Sequence, residues 1–171
     1  MKVFSPHHFA VLIGIDWADK KHDICEYSYA KQQYELSVIS SKPESIDDWA
    51  NDLKKRYPNQ RISVGWELKK GPLIYALSKY DHLTLFPINP TTVAKYRKAF
   101  TNSGAKDDPT DAKIQTEILQ NNMHKLRVLE PESSELRALA QLVENRRKLV
   151  QDRVRLTNRI TATLKNYYPQ A

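Results

Sequence analysis

The chain has 171 residues, a net charge of +7 and a single cysteine. That length suits one domain with a hydrophobic core plus an appendage, and is short for two independent enzymatic domains. One cysteine excludes an internal disulfide or a cysteine-based zinc cluster within the chain, and the basic balance points to a polyanionic partner, nucleic acid before an acidic membrane surface.

No stretch approaches the roughly 20 apolar residues of a membrane span, and Met1 to Ala10 lacks the apolar core of a secretory signal. The expectation is a soluble, cytoplasmic protein with no membrane partner. Val11-Leu12-Ile13-Gly14-Ile15-Asp16 is a short apolar run ending in a carboxylate, the pattern of a buried central strand that emerges at a sheet edge. Ile24 to Tyr29 and Tyr34 to Ile39 alternate as antiparallel neighbours would, which gives a three-stranded meander. Cys25 lies inside that alternation and reads as buried filler, not as a reactive thiol. Ser41 and Pro43 open an amphipathic helix carrying Ile46, Trp49, Ala50 and Leu53, which ends before Pro58.

Ile62 to Glu67 reads as a second strand with a carboxylate at its end. Gly71-Pro72 opens a helix through Tyr80, Leu83 to Ile88 forms the next strand, and Asn89-Pro90 starts a helix from about Thr91 to Phe100. Strand, helix, strand, helix implies parallel pairing with right-handed crossovers. After the polar segment Thr101 to Lys106, a helix runs from Asp108-Pro109 to about Asn121. From Glu132 to about Tyr168 nothing breaks a helix, and Leu142, Leu149 and Leu156 recur every seven residues, as in a helix that pairs with another. The expected division is residues 1–125 and residues 126–171.

Two strand-end carboxylates and two more at a helix start can converge above the carboxyl edge of one sheet, where open α/β sheets commonly carry their sites. Divalent Mg²⁺ or Mn²⁺, hard ions that take oxygen ligands, would relieve the mutual repulsion of four such acids. Two ions roughly 4 Å apart can activate a nucleophile and stabilise the leaving oxygen of a phosphodiester. Each acid also has a plainer reading. Asp16 and Glu67 could be solvated turn residues, and Asp-Pro-Thr-Asp over 108–111 suits a capped helix start. Spacing admits Asp107 in place of Asp108. His7, His8, His22, His82 and His124 show no ligand spacing and read as structural or surface residues.

Gly14-Ile15-Asp16-Trp17-Ala18 with Lys20-Lys21-His22-Asp23, Val64-Gly65-Trp66-Glu67 with Gly71-Pro72, Ile88-Asn89-Pro90, and Ala105 to Ala112 resemble, in this order, the DEDD transposases of the insertion-sequence 110 family. The resemblance implies an α/β, RNase H-like domain similar to the RuvC resolvase. It would have a mixed five-stranded sheet with flanking helices, followed by a long basic helix. Its catalytic, metal-binding acids would be Asp16, Glu67, Asp108 and Asp111. In that family a coiled-coil region and a second domain with a catalytic serine follow, and recombination uses a structured guide RNA pairing with DNA. The sequence is therefore expected to be the amino-terminal half of such a protein, without the serine-bearing domain. Trp66, before the glutamate, and Lys69-Lys70, after it, stand where the family often has smaller residues.

Basic residues expected at nucleic acid are Lys95, Arg97, Lys98 and Lys106 near the acids, and Arg146, Arg147, Lys148 and Arg153 on the long helix. An ordinary solvated helix face would look the same. The leucine spacing predicts a homo-oligomer, dimer or tetramer, through that helix. Two alternatives remain open. Actin-like sugar kinases share the first strand motif but need glycine-rich phosphate turns, and this chain has four glycines. In the other, the chain is a non-catalytic nucleic-acid-binding and dimerisation module whose acids are caps and turns.

Overall fold

The computed structural model describes residues 4–67, 71–100, 108–130 and 133–168. The chain divides into two units, Met1–Glu130 and Pro131–Ala171.

In the first unit β1 (Val11–Trp17), β2 (Lys21–Ser28) and β3 (Gln33–Ser40) form the antiparallel meander. Then follow α1 (Pro43–Arg56), β4 (Ile62–Trp66), α2 (Pro72–Leu77), β5 (Leu83–Pro87), α3 (Pro90–Phe100) and α4 (Asp108–Asn122). The sheet order is β3-β2-β1-β4-β5, with β4 parallel to both β1 and β5. A meander continued by parallel crossover strands is the mixed, RNase H-like sheet that the sequence led us to expect.

Alternation along each strand assigns the two faces. Val11, Ile13 and Ile15 of β1 pack with Val64 and Trp66 of β4 against Ile46, Trp49, Ala50 and Leu53 of α1 and against α2. The opposite face carries Leu12, Phe86 and Phe9, which pack on Leu119 and Met123. Each fully buried aliphatic or aromatic side chain contributes about 1.5–3 kcal/mol relative to exposure, so these two layers dominate the unit's stability.

Local details depart from expectation for identifiable reasons. Pro43 opens α1, but Ser41 does not cap it, because its hydroxyl donates to the Asp19 carbonyl at 2.6 Å. α2 stops at Leu77, short of Tyr80. Tyr80 instead turns back, its N–H reaching Leu77 O and its hydroxyl donating to Asp47 of α1 at 2.9 Å. β2 begins three residues before Ile24, since Trp17 and His22 continue the ladder with β1 through polar residues that apolar alternation does not reveal.

In the second unit α5 (Ser134–Tyr167) is one uninterrupted 34-residue helix, and Ser133 caps it by accepting the Leu136 N–H at 3.3 Å. Its leucines are exposed, Leu142, Leu149 and Leu156 among them. Among the described residues no helix is long and apolar enough to cross a membrane.

Candidate active site

The site is set by how closely α4 lies on the sheet. Gly14 of β1 and Gly65 of β4 are direct neighbours in register and face α4. A Cβ on Gly14 would stand 2.1 Å from the Ala112 carbonyl oxygen and 2.6 Å from Thr116 Oγ1, and one on Gly65 would stand 3.1 Å from Leu119. The paired glycines are a flat strip that lets a helix backbone settle onto strand backbone. Polar bonds hold it there. Thr116 Oγ1 donates to Cys25 O (2.9 Å) and approaches Ala112 O (3.0 Å), and Gln115 Oε1 accepts the Ile15 N–H at 3.1 Å.

Direction follows from the same contacts. Ala112 and Thr116 cover Gly14, while Leu119 and Met123 reach Leu12 and Phe9, so α4 runs back along β1. Its first turn, with Asp108 and Asp111, therefore lies toward the carboxyl end of β1, where Asp16 stands. Asp16 shares its strand face with Leu12 and Gly14, and Glu67 is the first residue after β4, whose register with β1 ends at Ile15 and Trp66. Both are half-buried. Asp16, near the end of β1, and Glu67, just after β4, thus lie at one edge of two adjacent parallel strands. The Asp108 side chain, Asp107 and Lys106 lie outside the described residues.

Asp111 is only 1% exposed, and Arg97 of α3 holds it in a two-point ion pair: Nε donates to Oδ1 at 2.7 Å and Nη2 to Oδ2 at 2.6 Å. Lys95 and Lys98 on the same helix are exposed. Of the expected phosphate-binding residues on α3, then, Arg97 faces an acid and the two lysines face solvent. On α5, Arg146, Arg147, Lys148 and Arg153 are exposed, and Arg147 grips Glu144 at 2.7 and 2.9 Å. Arg146 and Arg153 stand in the seven-residue line of Leu139 and Ile160, within the apolar stripe.

Sequence reasoning misses Asp23. It lies directly opposite Asp16 across β1 and β2, is 4% exposed, and has Lys21 Nζ at 3.4 Å. A short connection after Trp17 fixes that register, so the pairing could have been read from the hairpin once β2 was started at Lys21. His22 is buried and structural: its Nδ1 accepts the Ala18 N–H at 3.4 Å and its ring stacks on Trp17. Burial pushes its pKa down, opposed by a backbone hydrogen bond at Lys21 and the charge of Asp23. Cys25 is buried, and desolvation pushes its thiol up to about 11, as a filler residue requires.

The donors suit a hard cation in type, since all are carboxylate oxygens. In arrangement they do not yet suit one. Among the described residues no three His, Cys, Asp or Glu side chains gather closely enough to hold a metal ion, and both oxygens of Asp111 are engaged by Arg97.

A transposase family model of the DEDD, IS110 type matches residues 13–169. The “Mini-circle putative transposase for IS117” of Streptomyces coelicolor is 30% identical over 169 residues, covering 94% of this chain and 39% of that protein. The “Putative transposase y4uE” of Sinorhizobium fredii is 28% identical over 162 residues, covering 91% of this chain and 44% of that one. The chain thus spans about two-fifths of the length of these relatives. Among solved structures the fowlpox virus Holliday junction resolvase superposes with a TM-score of 0.35 and 16% identity, covering 63% of this chain and 94% of its own, a likeness too distant to carry an argument. With the family match running from β1 to the end of α5, the chain belongs to the DEDD transposases of the IS110 family.

Proposed function

We propose that this chain is the acid-bearing amino-terminal part of a DNA transposase, acting on DNA phosphodiesters with a divalent cation, Mg²⁺ or Mn²⁺, held by Asp16, Glu67, Asp108 and Asp111. The observation that supports the reading is the parallel pairing of β1 and β4, since Asp16 ends the paired stretch of β1 and Glu67 follows β4 at the same edge of the sheet. Carboxylates crowded in this way repel unless a cation or a guanidinium compensates them. The basic surface of α3 and α5 suits a polyanionic substrate, and its contacts to phosphates would be salt-sensitive and indifferent to sequence. Sequence choice would then come from elsewhere, and a structured guide RNA pairing with DNA fits that division of labour.

The exposed stripe on α5 supports pairing of this helix with a second copy, giving a dimer or a tetramer. Lysine at Leu142, Leu149 and Leu156 together should shift sedimentation equilibrium to the monomer.

The decisive test is calorimetric titration of Mg²⁺ and then Mn²⁺ into this chain and into Asp16→Asn/Glu67→Gln, with a DNA duplex present. Heat of binding that the double variant loses supports the reading. A parent chain that takes up neither ion favours the module without catalysis, with Arg97 and Asp111 as a structural pair.

A further inference from the structure

The Arg97–Asp111 pair disagrees with a carboxylate that simply awaits a cation, and the disagreement is informative. Nε and Nη2 approach the two oxygens side by side at 2.7 and 2.6 Å, the fork geometry that uses the inner lone pair of each oxygen. Those are the lone pairs a chelated cation would use. The Asp111 side chain is 1% exposed and that of Arg97 17%, so solvent reaches the pair from the guanidinium side. A cation chelated by Asp111 has to displace Arg97.

We propose that Arg97 is an internal counter-ion that occludes Asp111 and releases it when a nucleic-acid phosphate takes the guanidinium, so that the divalent cation and the polyanion bind here cooperatively. The inference rests on the reading of Asp111 as a cation ligand and adds how access to that ligand is controlled.

Three observations support an exchange of partners over a permanent tie. First, α3 and α4 do not depend on the ion pair to stay together. Val93 of α3 packs with Ile114 and Ile118 of α4 and with Ile88, and Tyr96 closes over them. The guanidinium can therefore swing while the helices stay. Second, the Arg97 side chain keeps 17% of its surface open to solvent, and the exposed Lys95 and Lys98, about 100–160° round α3 from it, draw a phosphate chain to the same helix. Third, neither partner can be left bare. A buried carboxylate stripped of its arginine is strongly unfavourable, and so is a cation brought up to an arginine-paired acid. Moving Asp111 to a cation and Arg97 to a phosphate in one event leaves every charge matched, which either ligand alone cannot do.

The test is calorimetric binding of Mn²⁺ to this chain with and without a short DNA duplex, repeated for Arg97→Gln, Arg97→Lys and Asp111→Asn. The duplex should tighten Mn²⁺ binding to the parent by roughly tenfold, within the usual range of coupling between two sites. In Arg97→Gln, Mn²⁺ should bind without duplex about as tightly as it binds the parent with duplex, and the duplex should add little. Arg97→Lys, which keeps the charge but not the fork, should fall between. Because Arg97→Gln leaves a buried acid and could unfold, the side-chain Nε–H of Arg97 in the parent gives a second readout. Its NMR resonance should be the same in the free chain and with Mg²⁺ alone, and should move once duplex and Mg²⁺ are both present.

Equal Mn²⁺ affinity with and without duplex in the parent, with loss of affinity in Asp111→Asn, would overturn the occlusion while leaving Asp111 a ligand. An Arg97 Nε–H resonance that does not move when duplex and Mg²⁺ are both bound would overturn it as well. No Mn²⁺ binding by any form, duplex included, would remove the cation reading itself, so the two failures are distinguishable.

Discussion

A single methyl group tests the seat of α4. In Gly14→Ala the new carbon would meet the backbone oxygen of Ala112 at 2.1 Å, and helix backbone cannot step aside as a side-chain end can. We expect a loss of about 3 kcal/mol, the upper part of the usual cost of overpacking, read from urea unfolding. Gly65→Ala would press on the ends of Ile88 and Leu119 at 3.0 to 3.1 Å, which can give, and should lose about 1 kcal/mol. Equal losses would mean that α4 is not seated through Gly14. At His22 the folded pKa lies below the usual value because burial disfavours the imidazolium. The unfolded chain then binds the proton more readily, so stability is full above about pH 6.5 and falls as pH drops from there through the folded pKa. His22→Asn should remove this slope from the pH dependence of Tm. Among the acids, Asp16 and Glu67 were legible as carboxylates closing apolar runs. Asp23 was not, because its strand opens on Lys-His-Asp and apolar alternation is blind to it. The tie between Arg97 and Asp111 was also hidden, since it joins two helices across a turn that no periodicity predicts.

At the scale of elements, the strand order followed from the pattern of runs and crossovers. What escaped the sequence was how far each element extends: Ser41 and Tyr80 make tertiary hydrogen bonds that outweigh their local signals. α1 shows the same dominance of tertiary partners. Arg56 in its last turn reaches Glu26 of β2 with two bonds of 2.8 and 2.9 Å and also Asp52 at 2.7 Å. The hydrogen bond to Glu26 raises the arginine's pKa above its ordinary value, against a smaller opposing cost of burial. Glu26 is 7% exposed, so Arg56→Ala would strand a buried carboxylate. Arg56 itself is more than a third exposed, which lowers the expected loss to about 1–2 kcal/mol, measurable as a lower midpoint in urea. A variant as stable as the parent would show the bond to be no more than a surface pair. α5 was visible in sequence as an unbroken heptad pattern, yet Arg146 and Arg153 stand within its apolar line, so cations and exposed leucines share one side of the helix.

For the whole molecule the charge of +7 sets the range of interaction more than its target. Lys95 and Lys98 are the exposed cations of α3, and on the proposed function they are the α3 residues expected to meet DNA first. Lys95→Glu/Lys98→Glu should weaken duplex binding and lower the slope of log affinity against log salt by about 2. An unchanged slope would place the duplex away from α3.

The strip of two glycines also has a consequence in time. Gly14 and Gly65 come from strands joined through the rest of the meander and α1, and they form one surface only after β4 has paired in parallel with β1. The meander can zip up from local contacts, whereas this parallel pairing must first close a long loop. The seat of α4 is complete only then, so its docking is expected on the native side of the folding barrier. Thr116→Val, which removes the hydroxyl bridging α4 to Cys25 O, should therefore speed unfolding and leave the refolding rate nearly unchanged in stopped-flow experiments. On the ribosome the same order would keep the acids of α4 apart from Asp16 and Glu67 until everything through Asn122 had emerged. A growing chain would carry all of these acids before the fold brings their elements together.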